Sequence, residues 1–293
     1  MILTGAPGTG KTFLAKKIAA SIIGCNINKL NSNDQFGFVQ FHPSYDYTDF
    51  VEGLRPNYNA TANSNLSFVL QYGTFKEFCR KATFNNAPHV FVIDEINRGE
   101  ISKIFGELFF SIDPGYRGIN GIVKTQYHNL QPQNINGVAN PFYNGFYIPN
   151  NVYIIGTMND IDRSVECMDF AFRRRFAFKE IKAKESQKNI LFYDNDIESD
   201  ILFTLVEAMD AINNKLTELG LNDSYHIGAA YFKKISLYNR QKINNKWDSL
   251  WEHHLYGTLF EYFRGEPDAS DKMDKLKEAY FGIIGNNSQG SLK

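Results

Sequence analysis

The chain predicts an α/β fold, a parallel sheet flanked by helices with a helical extension behind it, and three observations carry that reading. A glycine-rich loop, Gly5 to Thr12, lies between a short apolar run and the helical spacing Phe13, Leu14, Ile18, Ile22. Runs at 90–93 and 152–155 are rich in apolar residues, as buried parallel strands are, and helical stretches alternate with the strands. From about Ala183 onward the strand signals fade and amphipathic helices take over.

Composition bounds what such a fold can do. The 293 residues suffice for one large core or two smaller ones. A formal net charge of −1 argues against a uniformly basic nucleic-acid binder, so any DNA contact has to be local. Cys25, Cys79 and Cys167 are odd in number and form no CxxC pair, which points to neither a disulfide framework nor a zinc site. No apolar run approaches the roughly 18 residues that span a membrane, and no secretory signal opens the chain. A reducing, cytoplasmic location is the expectation, with no membrane partner.

The first loop reads "MILTGAPGTGKTF" and fits GxxxxGK[ST] with Gly5, Gly10, Lys11 and Thr12. Gly5, Gly8 and Gly10 let the backbone turn its N–H groups, Thr9 among them, inward on phosphates, while Pro7 stiffens the turn. The following helix adds positive potential, Lys11 reaches the terminal phosphates and Thr12 ligates magnesium. A chance glycine-rich turn lacks the flanking strand and helix.

The second strand signal, "HVFVIDEINR", ends in Asp94 and Glu95. Carboxylates at a strand's C-terminal end sit where open α/β sheets bind ligands. Asp94 would hold the magnesium shell and Glu95 would orient or deprotonate an attacking water; the plain alternative is a helix cap. The third, "VYIIGTMN", ends in Asn159, whose carboxamide donates and accepts at once and so can hold that water against a terminal phosphate.

Taken together, 38–56, 91–113 and 153–178 resemble the McrB-type branch of AAA+ proteins, the nucleotide-hydrolysing subunits of methylation-dependent, 5-methylcytosine-specific restriction systems. The MNxxDR segment followed by an Arg-Arg-Arg-Phe helix end is the most specific part, and the resemblance continues through 250–265. It implies an AAA+ P-loop NTPase core, 1–182, followed by an all-helical lid domain, 183–293. Gly5, Gly8, Gly10, Lys11 and Thr12 match the Walker A loop, Asp94 and Glu95 the Walker B pair, and Asn159 and Asp162 the polar residues of MNxxD. The resemblance further implies Mg2+, GTP as substrate with ATP left open, a homo-oligomeric, hexameric ring, DNA reached through the assembly, and a McrC-type partner that supplies the nuclease. No PD-(D/E)xK-like constellation stands in the chain itself. The "NKLN" at Asn28 lacks the final Asp of a guanine-reading NKxD element and reads as a chance match.

Two departures stand out. Where the family has a polar His-Ser pair in the lid, this chain has Ala229 and Ala230. Family members also carry an upstream linker and often a recognition domain, whereas this chain begins just before the loop and reads as a motor core alone.

The remaining segments are less specific. Helical spacing covers 74–84, 100–112, 198–219, 247–264 and 271–281, and Phe38 to Phe41 reads as a strand. The stretch 113–150 is longer than the ~15 residues of a plain connection; Arg117, Lys124, Tyr143 and Tyr147 there suit nucleic-acid contact, and a flexible surface hairpin suits them equally. His226, His253 and His254 have no ligand spacing and read as structural or surface residues.

Arg173, Arg174 and Arg175 end a helix for which Ser164 is the candidate cap and Val165, Met168 and Phe172 the apolar face. Asp169 gives Arg173 a partner four residues away. Packing three like charges needs further anions, and the nucleotide of a neighbouring subunit supplies one, so Arg174 and Arg175 are candidate trans-acting catalytic residues. Three readings follow: a GTP-driven ring subunit of a McrBC-like system, an AAA+ ATPase that remodels protein complexes, and a non-catalytic DNA-recognition module. The last has no need of Lys11, Asp94, Glu95 and Asn159 together.

Overall fold

The computed structural model describes residues 1–57, 67–161, 170–192, 197–241, 243 and 245–290, with only the backbone given for 286–290. No helix among them is long and apolar enough to cross a membrane. By backbone packing the chain divides into two compact units. The first comprises the described residues of Met1–Leu3, Thr12–Met158 and Arg163–Lys179; the second comprises those of Thr4–Lys11, Asn159–Asp162 and Glu180–Lys293.

A five-stranded sheet organises the first unit. Its strands are β1 (Ile2–Thr4), β2 (Phe36–Gln40), β5 (His89–Asp94), β8 (Val152–Thr157) and β9 (Phe178–Glu180), in the order β2-β5-β8-β1-β9. β2 runs parallel to β5, β5 to β8, and β1 to β8. The central strand β5 is buried at every position, as its unbroken apolar run demands. Register levels the carboxyl ends: Gln40 pairs with Asp94, Ile93 with Gly156, and Leu3 with Thr157. Asp94 and Thr157 therefore come side by side.

Helix α1 (Lys11–Ile23) follows the glycine loop, and α2 (Tyr47–Phe50) opens with a capping box between Asp46 and Asp49. A two-stranded antiparallel sheet, β3 (Glu52–Pro56) with β4 (Phe68–Tyr72), precedes α3 (Thr74–Ala82). The single helix expected over 100–112 is instead α4 (Ile101–Phe105) and α5 (Leu108–Ser111), because Gly106 turns the chain at φ 48°. Helix α6 (Phe170–Arg173) ends in the arginine run; Ser164, Val165, Met168 and Asp169 lie outside the described residues. The core is largely aromatic: Phe50 stacks on Phe75 with centroids 4.7 Å apart, and Phe105 meets Phe50 and Phe172. Each such buried ring contributes about 1.5–3 kcal/mol.

The stretch 113–150 is built into this core. It contains short 3-10 turns and a hairpin, β6 (Asn134–Ile135) with β7 (Val138–Ala139), and it buries Phe142, Phe146 and Ile148. Arg117 turns inward and donates to the carbonyls of Ile112 and Val152, and Tyr147 packs its ring against Phe142. Only Lys124 and Tyr143 of the four residues singled out there are exposed.

A buried ion pair anchors the stretch. Lys76 and Glu52 are fully buried, with Nζ 2.5 Å from Oε2. Gln131 donates to the same carboxylate at 2.6 Å and the Tyr127 N–H at 3.2 Å, while Lys76 lies over the Tyr72 ring. Burial alone would push the Glu52 carboxyl up; the Lys76 charge and the hydrogen bonds of Lys76, Thr125 and Gln131 outweigh it and hold the group below the usual carboxylate range.

The second unit is helical. After α7 (Ala183–Ser186) come α8 (Ser199–Glu218), α9 (Ala229–Phe232), α10 (Ile235–Arg240), α11 (Lys246–Leu250), a π-helical turn at Trp251–Leu255, α12 (Tyr256–Phe263) and α13 (Ala269–Gly290). α8 buries Ile201, Leu205, Met209, Ile212 and Leu216, the expected face. They share one core with Trp251, Leu255, Leu276 and Tyr280. His226 and His254 hydrogen-bond Thr217 and Tyr238, the structural roles expected of them.

Because removal of one partner strands a buried charge, Lys76→Met should lower the unfolding free energy by about 3–5 kcal/mol in a urea titration. The Glu52 contribution is present above its unfolded value of about 4.3 and is lost as pH falls through its lower folded value. Wild-type stability should therefore drop across that acidic window, and the drop should be smaller in Glu52→Gln.

Candidate active site

Thr12, Asp94 and Glu95, three first-unit residues that the sequence singled out, meet at the level ends of β5 and β8; no contact among the described residues brings Arg174 or Arg175 of the same unit there. Asp94, 8% exposed, accepts two hydroxyl hydrogen bonds on one oxygen: from Thr12 Oγ1 at 2.7 Å and from Thr157 Oγ1 at 2.6 Å. A buried carboxylate without donors is costly, so the pairing both neutralises that cost and sets the rotamer. Thr12 belongs to the first turn of α1, which brings a hydroxyl and a carboxylate oxygen within contact of each other. Among the described residues no group of three or more His, Cys, Asp or Glu forms a self-sufficient metal cage.

Glu95 follows Asp94 in the left-handed region, at φ 51° and ψ 46°. A non-glycine residue there stores strain of ~1–3 kcal/mol and needs its surroundings to hold it. Its N–H donates to Thr157 Oγ1 at 3.3 Å, and its carboxylate lies 3.4 Å from Arg98 Nε. Thr157 therefore bonds both acids, a role that sequence reading missed. The only signal was a hydroxyl two places before Asn159 at the end of a buried strand.

The glycine loop belongs to the second unit and is shaped as its motif requires. Gly5, Gly8 and Gly10 take φ of 135°, 74° and 80°, which glycine alone adopts without strain. Thr9 Oγ1 donates to the Ala6 carbonyl, and Lys11 folds over the loop to donate to the carbonyls of Gly5 and Ala6 at 2.9 and 2.8 Å. Buried to 7% exposure, the ammonium replaces hydration with these acceptors. Asn159 is half-buried in the same unit, and the next residue, Asp160, donates its N–H to the Gly5 carbonyl at 3.4 Å. Asp162 lies outside the described residues.

Within that unit the helical segment straps the loop. Gly228 and Ala230 donate their N–H groups to the carbonyls of Pro7 and Gly8, both at 2.9 Å, and the Ala229 N–H reaches Ser186 Oγ. All three bonds are made by backbone N–H groups, so the small side chains of Ala229 and Ala230 leave the strap intact. The Tyr231 ring lies against Gly8 so closely that a Cβ there would stand 2.4 Å from it.

The arginines of α6 and beyond are not equivalent. Arg174 is exposed. Arg175 is half-buried: one end donates to the Ala171 carbonyl and the guanidinium lies 5.4 Å over the Phe109 ring. Arg173 covers the ring of Phe178 at 4.8 Å.

Comparison with known proteins identifies the family. The model of the AAA domain (dynein-related subfamily) matches residues 1–176, more than half of the chain. The chain belongs to the AAA family. It is a P-loop NTPase with an AAA domain and lid of the McrB type: the model of the McrB alpha-helical lid domain matches 204–271. The Type IV methyl-directed restriction enzyme EcoKMcrB subunit of Escherichia coli (strain K12) is 34% identical over 237 residues. That match takes in 79% of this chain, which spans only 47% of the relative's length. The Type II restriction enzyme BsuMI component YdiS of Bacillus subtilis (strain 168) is 27% identical, over 84% of this chain and 76% of its own.

A Cβ on Gly228 would stand 2.2 Å from the backbone carbon of Gly8 and 2.4 Å from the Thr9 nitrogen. Gly228→Ala should therefore cost about 1–3 kcal/mol of stability by overpacking, measured by chemical denaturation, whereas Ala230→Ser, which leaves the N–H bond in place, should stay within about 0.5 kcal/mol.

Proposed function

We propose that this chain is a Mg2+-dependent nucleoside triphosphatase that uses GTP and works as one subunit of a ring in a McrBC-like restriction system, where it drives a separate nuclease on modified DNA. The observation that carries the hydrolytic part is the Thr12–Asp94–Thr157 set with the strained Glu95 beside it. The restriction context and the choice of GTP rest on likeness to the McrB subunit.

The residues fit the chemistry. Hard oxygens of Thr12 and Asp94 in mutual contact suit Mg2+, which takes one or two protein oxygens and completes its shell with water and phosphate. When bound, the ion supplies charge to the phosphate oxygens. The N–H groups of Gly8, Thr9 and Gly10 cradle the phosphates, and Lys11 exchanges the Gly5 and Ala6 carbonyls for phosphate oxygens. Asn159 orients a water and Glu95 accepts its proton as the water oxygen attacks the terminal phosphorus. The bond from that phosphorus to the bridging oxygen breaks, and the diphosphate and inorganic phosphate leave. Asp162 supports the same step through the MNxxD pattern.

The exposed Arg174 is the guanidinium best disposed to reach a neighbour's nucleotide, while Arg175, tied to Ala171 and Phe109, sets the helix end that presents it. Each chain then holds one half of two composite sites, which makes assembly a condition of turnover. The proposed ring is a hexamer, with a McrC-type nuclease subunit and DNA engaged through the assembly in the cytoplasm. The domain division proposed is 1–182 for the nucleotide-binding part and 183–293 for the lid.

Purified chain, alone and with a McrC-type partner, should hydrolyse GTP faster than ATP, and Glu95→Gln should remove turnover while nucleotide binding persists. ATP preference with no response to the partner would favour the protein-remodelling reading instead, and hydrolysis of neither nucleotide in an assembled ring would end the NTPase proposal. For the trans role, Arg174→Ala should lower turnover of the assembled protein by ~10³-fold and leave single-chain nucleotide affinity unchanged; undiminished turnover would assign the arginine a surface role.

A further inference from the structure

We propose that Thr157 is a positioning residue of the hydrolytic site: through one hydroxyl it fixes the Asp94 carboxylate and the Glu95 backbone, and so keeps the two acids in separate roles. The inference rests on the reading of the chain as an NTP hydrolase and adds a residue that the sequence motifs do not include.

The hydrogen bonds have an unambiguous direction. A carboxylate only accepts and a backbone N–H only donates, so the single Thr157 proton goes to Asp94 Oδ1 at 2.6 Å and its lone pair receives Glu95 N–H at 3.3 Å. Thr157 is 2% exposed at the last position of β8, where the pairing of Ile93 with Gly156 holds it level with Asp94. Water has no ready access to replace it.

The strain at Glu95 gives this bond its purpose. Consecutive side chains of an extended strand leave opposite faces, and the left-handed step at φ 51° breaks that alternation just after Asp94. Of the described non-glycine residues, the other with positive φ is Asn136, in the turn between β6 and β7. Glu95 instead opens the 3-10 turn Ile96–Arg98, its carbonyl accepting the Arg98 N–H at 2.9 Å. Thr157 holds its amide in the strained geometry and at the same time saturates one lone pair of Asp94, so that the carboxylate keeps its orientation when Thr12 turns its oxygen toward a cation.

Thr157→Val keeps the shape and removes the hydroxyl, so that Asp94 Oδ1 loses one of its two hydroxyl donors and the Glu95 N–H loses this acceptor; Thr157→Ser restores both bonds. Full-length wild type and both variants are compared for thermal unfolding, for kcat and KM at saturating Mg2+, and for the Mg2+ concentration that half-saturates binding of a fluorescent, non-hydrolysable nucleotide. In the Val variant kcat should fall ~10- to 100-fold and the Mg2+ midpoint should rise by a comparable factor, as for other residues behind a metal ligand. KM should move by less than about threefold, and Ser should recover most of the loss. A Val variant with unchanged kcat and Mg2+ midpoint, or a Ser variant as impaired as Val, would overturn the proposal. Should Val fail to fold, Thr157→Cys, with its weak donor, takes its place under the same criteria. If the wild type hydrolyses neither nucleotide, the NTPase reading fails separately, and the Mg2+ midpoint alone decides whether Thr157 positions Asp94.

Discussion

A single carboxylate oxygen holds the architecture of the site together. Asp94 Oδ1 takes one hydrogen bond from Thr12, 82 residues earlier in the chain, and one from Thr157, 63 residues later. Buried polar groups tolerate few arrangements: without these donors the carboxylate would be left buried with unmatched lone pairs. The end of β5, the start of α1 and the end of β8 are therefore constrained to one relative placement. Parallel register supplies the same placement independently of the hydroxyl bonds, since it levels Asp94 with Thr157 and sets β1 beside them.

The glycine loop is held by a different device. Its carbonyls are occupied on one side by Lys11 and on the other by N–H groups of Gly228 and Ala230. Backbone donors make the strap independent of side-chain identity, except where space is lacking. This accounts for how small alanines at 229 and 230 leave the strap intact, and for the demand that position 228 places on glycine. Lys11 and Thr12 are adjacent in sequence yet serve separate partners, one the loop and the other the acids.

The stretch 113–150 illustrates how composition misleads. Asparagine, glycine and proline suggest a free surface loop, but Gln131 and Tyr127 reach the buried Glu52–Lys76 pair, 79 and 75 residues from Glu52. A polar network of this kind is a matter of long-range complementarity and leaves no local pattern. Arg117 turns inward for the same reason: backbone carbonyls at 112 and 152 claim it. The break at Gly106 is the reverse case, a single residue visible in the sequence whose left-handed turn outweighed a continuous helical periodicity.

What the sequence determined by itself is what short-range patterns encode. Glycines at 5, 8 and 10 with Lys11 and Thr12 specify the loop, apolar runs specify β5 and β8, and 3.6-residue spacing specifies α8, because each depends on neighbours within one turn or one strand. The acids at 94 and 95 were legible for the same reason, as they end an apolar run. Only the tertiary structure decided that Thr157 bonds both acids, that Gly228 and Ala230 strap the loop, and that Arg174 is exposed while Arg175 folds back on Phe109. Those outcomes hang on strand register and on packing between residues far apart in the chain, and a hydrogen bond a few tenths of an ångström out of reach is not a bond.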